Sequence, residues 1–166
     1  MADAPSGPVG TESNNPIIDG GTLALAKMPL QNQQSKDQVA VNKRLSIEAV
    51  VKHLNSNAHE TSQGQCAKYV RQAIEAGGII ITPPRPLYAK DYGMKLVELG
   101  FQKIDSNGYL PEKGDIVVLQ PPKDQSAGHI QIYNGETWVS DFKQSSDIYP
   151  GPAYRKEEVA YVIYRL

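Results

Sequence analysis

The chain of 166 residues holds one cysteine and three histidines, and what they can do depends on where they stand. Cys66 lies in Ser62-Gln63-Gly64-Gln65-Cys66-Ala67-Lys68-Tyr69-Val70, where a polar loop gives way to a helical pattern. From Cys66 the apolar residues recur at Tyr69, Val70, Ala73 and Ile74, and Gly77-Gly78 supplies the stop. A thiol at a helix start meets free backbone N–H groups at the positive end of the helix dipole. That setting is expected to lower its pKa toward neutrality, and the thiolate is the nucleophile. The same spacing also suits a small buried hydrophobe, the ordinary fate of an unpaired cysteine. His129 opens a strand-like stretch directly after Gly128, 63 positions beyond Cys66. A base at a strand edge facing a thiol at a helix start is the arrangement nucleophilic catalysis needs. The pair would hold thiolate and imidazolium, with the Cys66 backbone N–H open to an oxyanion. His59 is nearer in sequence, but a loop histidine is ordinarily exposed. His53 reads as a solvated helix residue.

The elements that would position this pair follow from the flanking pattern. Ser46 is an N-cap, Glu48 suits the first turn, and Leu45 with Val50 has hydrophobic-staple spacing. Ile47, Val50, Val51 and Leu54 mark one face of a helix ending in Asn55-Ser56-Asn57, and a polar loop leads to the Cys66 helix. Thr82-Pro83-Pro84-Arg85-Pro86 is a stiff connection. Residues 87–99 predict a third helix, with Leu96 and Leu99 inward, Gly100 as C-cap and an awkward interior Gly93. Strands follow at Ile116-Val117-Val118-Leu119, His129-Ile130-Gln131-Ile132-Tyr133, residues 137–142 and residues 159–164, with Asn134-Gly135 as a hairpin signal. Helices first and antiparallel strands later predict an α+β domain.

Composition excludes several classes. Formal net charge is −1, so no basic footprint argues for nucleic acid. No run of eighteen apolar residues predicts membrane insertion. A single cysteine rules out an intrachain disulfide framework and a Cys-rich zinc site, the histidines lack paired metal spacing, and no cofactor is called for. Residues 1–42, rich in Pro, Gly, Ser, Asn and Gln, are expected to be flexible, with a docking or export role as the functional alternative. The folded domain is expected over residues 43–166. Met1 to Gly7 has neither a basic start nor an apolar core, so a secretory signal peptide is not expected there, and action outside the cell would need a dedicated route.

Three blocks, Gly64-Gln65-Cys66 with Tyr69-Val70, Gly114-Asp115-Ile116-Val117-Val118, and Gly128-His129-Ile130-Gln131-Ile132, resemble the CHAP family in order and spacing. These are the cysteine- and histidine-dependent amidohydrolases/peptidases of the papain-like superfamily, and the resemblance covers roughly residues 60–142. It implies a papain-like fold of N-terminal helices packed on an antiparallel sheet, Cys66 as nucleophile, His129 as general base and peptidoglycan stem peptides as substrate. The family's third polar residue follows on the next strand in a Val-Ser-Glu-like context. Val139-Ser140-Asp141 occupies that place, so the resemblance implies that Asp141 orients the imidazole, although Asp departs from the commoner Glu or Asn. A side-chain amide ahead of the cysteine serves the oxyanion in papain-like enzymes, which makes Gln63 and Gln65 candidates. Trp138 is a candidate substrate wall, with core as the alternative, and the tyrosines (Tyr88, Tyr92, Tyr109, Tyr133, Tyr149, Tyr154) are groove candidates or half-exposed packing.

Register supplies a check on Asp141. A two-residue Asn134-Gly135 turn would set His129 opposite Ser140 and point Asp141 to the other sheet face. An odd-length turn or a bulge nearer Asp141 is therefore expected if Asp141 shares a face with His129. The layout is also similar to the small amidase toxins that bacteria inject into neighbours by type VI secretion. That resemblance implies action in a rival's periplasm and a cognate immunity protein covering the cleft. A phage-type lysin, a non-catalytic papain-like binding module and a thiol acyltransferase are the alternatives, since hydrolysis and acyl transfer use the same dyad.

Overall fold

Ser46 starts the first helix as its sequence position demands: its Oγ accepts the Ala49 N–H at 3.2 Å, relieving one of the free donors of the first turn. The computed structural model describes residues 44–144 and 147–166, and the flexible segment expected over residues 1–42 lies outside the described residues. Helix α1, Ile47–Asn57, buries Val50, Val51 and Leu54, and helix α2, Cys66–Ala76, buries Val70, Ala73 and Ile74. These are the i, i+3, i+4 positions of each pattern, so both helices form as amphipathic faces closing on one core.

The third helix is shorter than its pattern. A 3₁₀ turn, Ala89–Asp91, runs into α3, Tyr92–Glu98, with Leu96 buried and Leu99 half-buried. Gly93 stands where the Tyr164 hydroxyl comes down on α3; a Cβ there would overlap that oxygen, which explains a glycine inside a helix. The remaining elements are β1 (Gln102–Ile104), β2 (Ile116–Leu119), β3 (His129–Tyr133), β4 (Trp138–Val139), α4 (Pro152–Glu157) and β5 (Tyr161–Arg165). The sequence pattern does not announce β1 or α4, both too short to display a period.

The strands make one antiparallel sheet in the order β1-β5-β2-β3-β4. Central β2 is apolar throughout because both of its faces are covered. Ile116 and Val118, with Ile130, Ile132, Val139 and Tyr164, meet α1, α2 and α3. Val117 and Leu119, with Trp138, Ile163, Tyr154 and Val159, form a second core on the opposite face. Full burial of each such aliphatic side chain is worth about 1.5–3 kcal/mol. The domain is α+β, consistent with a papain-like arrangement of helices on an antiparallel sheet.

Candidate active site

Cys66 is the first residue of α2, and its thiol is half-buried. The helix begins there because Gln63 and Gln65, which precede it, are tied down by one carboxylate. Asp141 Oδ2 accepts the backbone N–H of Gln63 at 2.6 Å and that of Gln65 at 3.1 Å. Asp141 is itself fully buried, and its Oδ1 accepts the Ser140 hydroxyl at 3.0 Å. The backbone secures the same link: His59 N–H donates to Asp141 O at 2.8 Å and Lys143 N–H to His59 O at 3.0 Å.

His129 is the first residue of β3, next to Gly128. Gly128 has φ +69°, and a Cβ there would lie 2.5 Å from Leu119 O and 2.8 Å from Lys90 Cβ. Only glycine lets the chain enter β3 at this point, and the entry sets where the imidazole stands. The ring is buried edge-on between Phe142 and Tyr154, with centroids 6.2 and 6.1 Å away.

Cys66, His129 and Asp141 line one cleft of about 320 Å³, together with Ser62, Gln125, Phe142 and the Pro150–Tyr154 segment. A second hollow, about 270 Å³, adjoins it through the shared residues Gly64, Cys66 and Ala127. Gln65, Lys68, Leu87 and Ala89 line the second hollow. The thiol therefore lies between two open spaces.

The electrostatics differ from the sequence expectation. Burial pushes the Cys66 thiol above its ordinary range; the backbone N–H groups of Ile130, Ala67 and Cys66 pull it down, and the Asp141 charge raises it further. The helix end is present but burial outweighs it. Burial also lowers the His129 pKa to about 4, against the opposing pull of the Asp141 carboxylate. The resting pair is thus neutral thiol and neutral imidazole, where thiolate and imidazolium had been expected. Burial holds Tyr154 up at about 12, so it faces the site as a neutral phenol.

The other expected residues fall in several places. Asp141 shares the cleft with His129, but its carboxylate bonds go to Gln63, Gln65 and Ser140, and the His129 ring bonds Gln144 instead, Nε2 to Nε2 at 3.1 Å. Among the described residues no hydrogen bond joins Cys66 to His129. The connection between β3 and β4 has four residues, with Tyr133 opposite Trp138, in place of the expected odd-length turn. Parity does not decide Asp141, because β4 ends at Val139 and the chain reverses through residues 140–142, pairing Val139 with Lys143. Gln65 lines the second hollow, whereas the Gln63 side chain donates to Thr61 O at 2.8 Å and lines neither space. Trp138 corrects an expectation: at 1% exposure beside Tyr133 it is core, and no wall of the cleft. His59 is exposed and bonded to Tyr69 Oη at 2.8 Å. Of the six tyrosines only Tyr154 lines the cleft, among the described residues. Gln144 carried no sequence signal, standing in a polar run after the last periodic residue.

No protein-family model matches the chain, and no curated protein matches it. Solved structures do. The crystal structure of the selenomethionine form of the type VI effector–immunity complex Tae3–Tai3 from Ralstonia pickettii is 44% identical over 72% of this chain and 100% of that chain, with a TM-score of 0.65. The native form of the same complex is 42% identical over 72% of this chain and 98% of that chain, again with a TM-score of 0.65. At that identity and coverage, the chain belongs to the family of the type VI effector Tae3.

Proposed function

We propose that this protein is a peptidoglycan amidase or endopeptidase that cuts amide bonds of cell-wall stem peptides through Cys66 and His129. The observation that carries this reading is the joint presence of the Cys66 thiol at a helix start and the His129 ring at a strand start along one open cleft. With both groups neutral at rest, His129 takes the thiol proton as Sγ attacks the amide carbon, and the C–S bond forms as the carbonyl electrons move onto oxygen. The Cys66 backbone N–H receives that oxyanion, and Gln65, which lines the second hollow with Cys66, is the side-chain amide we assign as a further donor. Collapse breaks the C–N bond and His129 returns the proton to the leaving amine; a water that His129 deprotonates then adds to the thioester carbon, the C–S bond breaks, and His129 returns that proton to Sγ.

The two hollows give the acyl and amine halves of a peptide one space each. Lys68 is the sole charged residue lining the second and makes no ion pair among the described residues, which suits a substrate bearing carboxylates, as stem peptides do. Membership of the Tae3 family supports delivery as a type VI toxin into a rival's periplasm. The relatives' complexes with an immunity protein support a cognate inhibitor for this chain, which we place over the cleft. We assign the catalytic domain to residues 43–166.

Digestion of crosslinked Gram-negative peptidoglycan tests the reading, with Cys66→Ala and His129→Ala as controls and fragments read by mass. New fragments split at an amide, with glycan strands intact, are expected from the wild type alone. Intact sacculi after treatment with folded wild type would overturn the hydrolase and leave the binding module or the acyltransferase.

A further inference from the structure

Among the described residues, two buried side-chain atoms lack a hydrogen-bond partner, and one of them, Gln144 Oε1, belongs to the residue that holds His129. Gln144 spends its other end twice: Nε2 lies 3.1 Å from His129 Nε2 and donates to Ser140 Oγ at 3.1 Å. The Ser140 hydroxyl donates in turn to Asp141 Oδ1 at 3.0 Å. A bonded chain therefore runs from the imidazole through an amide and a hydroxyl to the buried carboxylate.

The direction of that chain has a consequence for proton transfer. An imidazole that accepts at Nε2 carries its hydrogen on Nδ1. With Nε2 taken by Gln144, Nδ1 is the nitrogen left for the thiol, and in this tautomer it has no lone pair to receive a proton. A ring able to act as base carries its hydrogen on Nε2, and that hydrogen needs an acceptor where the Gln144 nitrogen now lies. An unpaired buried carbonyl oxygen costs about 1–3 kcal/mol. Here it sits on the same amide, half a turn away.

We infer that Gln144 is the positioning residue for His129, setting its tautomer by turning its amide so that Oε1 accepts the Nε2–H. In the turned state Nδ1 presents its lone pair to Cys66. As the thiol proton moves from Sγ to Nδ1, the imidazolium keeps its Nε2–H bonded to Oε1. The Ser140 hydroxyl swings from Asp141 to Oε1, and Asp141 retains the N–H groups of Gln63 and Gln65. Asp141 then acts on the imidazolium through space, and the direct bond belongs to a glutamine. The inference rests on the thiol-hydrolase reading for its effect on rate, though not for its effect on the ring.

The test compares wild type, Gln144→Met, which keeps the volume without donor or acceptor, and Gln144→Glu, which can only accept when ionised. Thermal unfolding confirms that each is folded. In Gln144→Met, kcat on peptidoglycan peptides is expected to fall about a hundredfold or more, with KM within about twofold, as for other losses of the correct tautomer. Gln144→Glu is expected to recover most of that loss and to move the acid limb of kcat/KM upward by about one pH unit or more. Unchanged kcat in Gln144→Met, or a Gln144→Glu as slow as Gln144→Met, overturns the assignment. Ring nitrogen-15 shifts of His129 decide independently of turnover and of whether Gln144→Glu folds. The Nδ1–H to Nε2–H ratio is expected to differ between wild type and Gln144→Met, and an equal ratio overturns the inference. A wild type that cleaves nothing but shows the altered ratio removes the hydrolase and leaves Gln144 in its role.

Discussion

Two aspartates lie fully inside this domain, Asp115 at 1% exposure and Asp141 at 0%, and their surroundings have almost nothing in common. Asp115, just before β2, takes two bonds from Arg165, at 2.8 Å to Oδ1 and 2.9 Å to Oδ2, with Tyr109 Oη and Glu112 N–H at 2.7 and 2.8 Å. Burial alone would raise this carboxyl, but Arg165 and the other donors hold it below its ordinary value. Its charge is neutralised where it stands. Asp141 accepts two backbone N–H groups and a hydroxyl, and no cation pairs with it among the described residues. Its field therefore reaches outward, and both Cys66 and His129 respond to it. A paired buried carboxylate ties β2 to β5. An unpaired one, held by dipoles, biases the protonation of a cleft in which burial has the larger effect.

The sharpest way to break this contrast is to remove the cation from the first site. Arg165→Met leaves Asp115 charged and buried, so stability by chemical denaturation is expected to fall by about 3–5 kcal/mol. Cleavage per folded molecule should not change, because Arg165 lies outside both hollows. A stability loss below about 1 kcal/mol would show that Asp115 is far less dependent on Arg165 than its two short bonds imply.

His129 carries the next effect. Its folded pKa, about 4, lies below its ordinary 6.5, so the unfolded chain binds the proton more tightly. This contribution to stability is complete above about pH 6.5, declines as pH falls toward 4 and is exhausted below that. The full swing is roughly 3 kcal/mol. Denaturation midpoints measured across that window should fall for the wild type and flatten for His129→Gln. The acid limb of kcat/KM should lie near pH 4, the value at which the base becomes protonated.

Asp141→Asn tests the second site from the inside. The amide keeps the size but loses the charge, so His129 should become still harder to protonate and the acid limb should move down. A less stabilised imidazolium, with a loosened Gln63–Gln65 loop, is expected to lower kcat/KM by about ten- to a hundredfold. An unmoved acid limb would mean that the Asp141 field does not reach the ring.

The same contrast explains which parts of the molecule were legible beforehand. Helix α1, helix α2 and strands β2 and β3 are periodic segments with clear stops, and Cys66 and His129 stand at the first residues of α2 and β3, so their places in the fold are legible from element starts. The Asp141 region is not periodic. Residues 137–142 alternate like a strand, but the segment turns after Val139 because Asp141 and Phe142 make their contacts with the residue 59–65 loop and the His129 ring. Gln144 and α4 were illegible for a related reason: their roles come from distant partners, and a polar run or six residues of helix carry no pattern of their own. Wall and core stay open for Trp138 in the sequence because an aromatic next to a candidate site looks the same whether it faces the cleft or the second core, where it lies. The direction of the Cys66 shift is not legible either, since the helix start shows in the sequence and the burial that outweighs it does not.

The smallest expected effect concerns the side of Cys66 away from Asp141. Lys68 is exposed on the first turn of α2 and lines the second hollow beside apolar Leu87, Ala89 and Ala127. An exposed lysine with no ionic partner among the described residues contributes little to folding, so Lys68→Glu should leave the denaturation midpoint nearly unchanged. A substrate carboxylate in that hollow would meet repulsion in place of attraction, raising KM by about three- to tenfold with kcat held within about twofold. Raising the salt concentration should shrink the difference, because the interaction is open to solvent. Equal KM values for wild type and Lys68→Glu at low salt would remove Lys68 from substrate binding. The charge that distinguishes the two hollows for the substrate would then be Asp141 in the first alone.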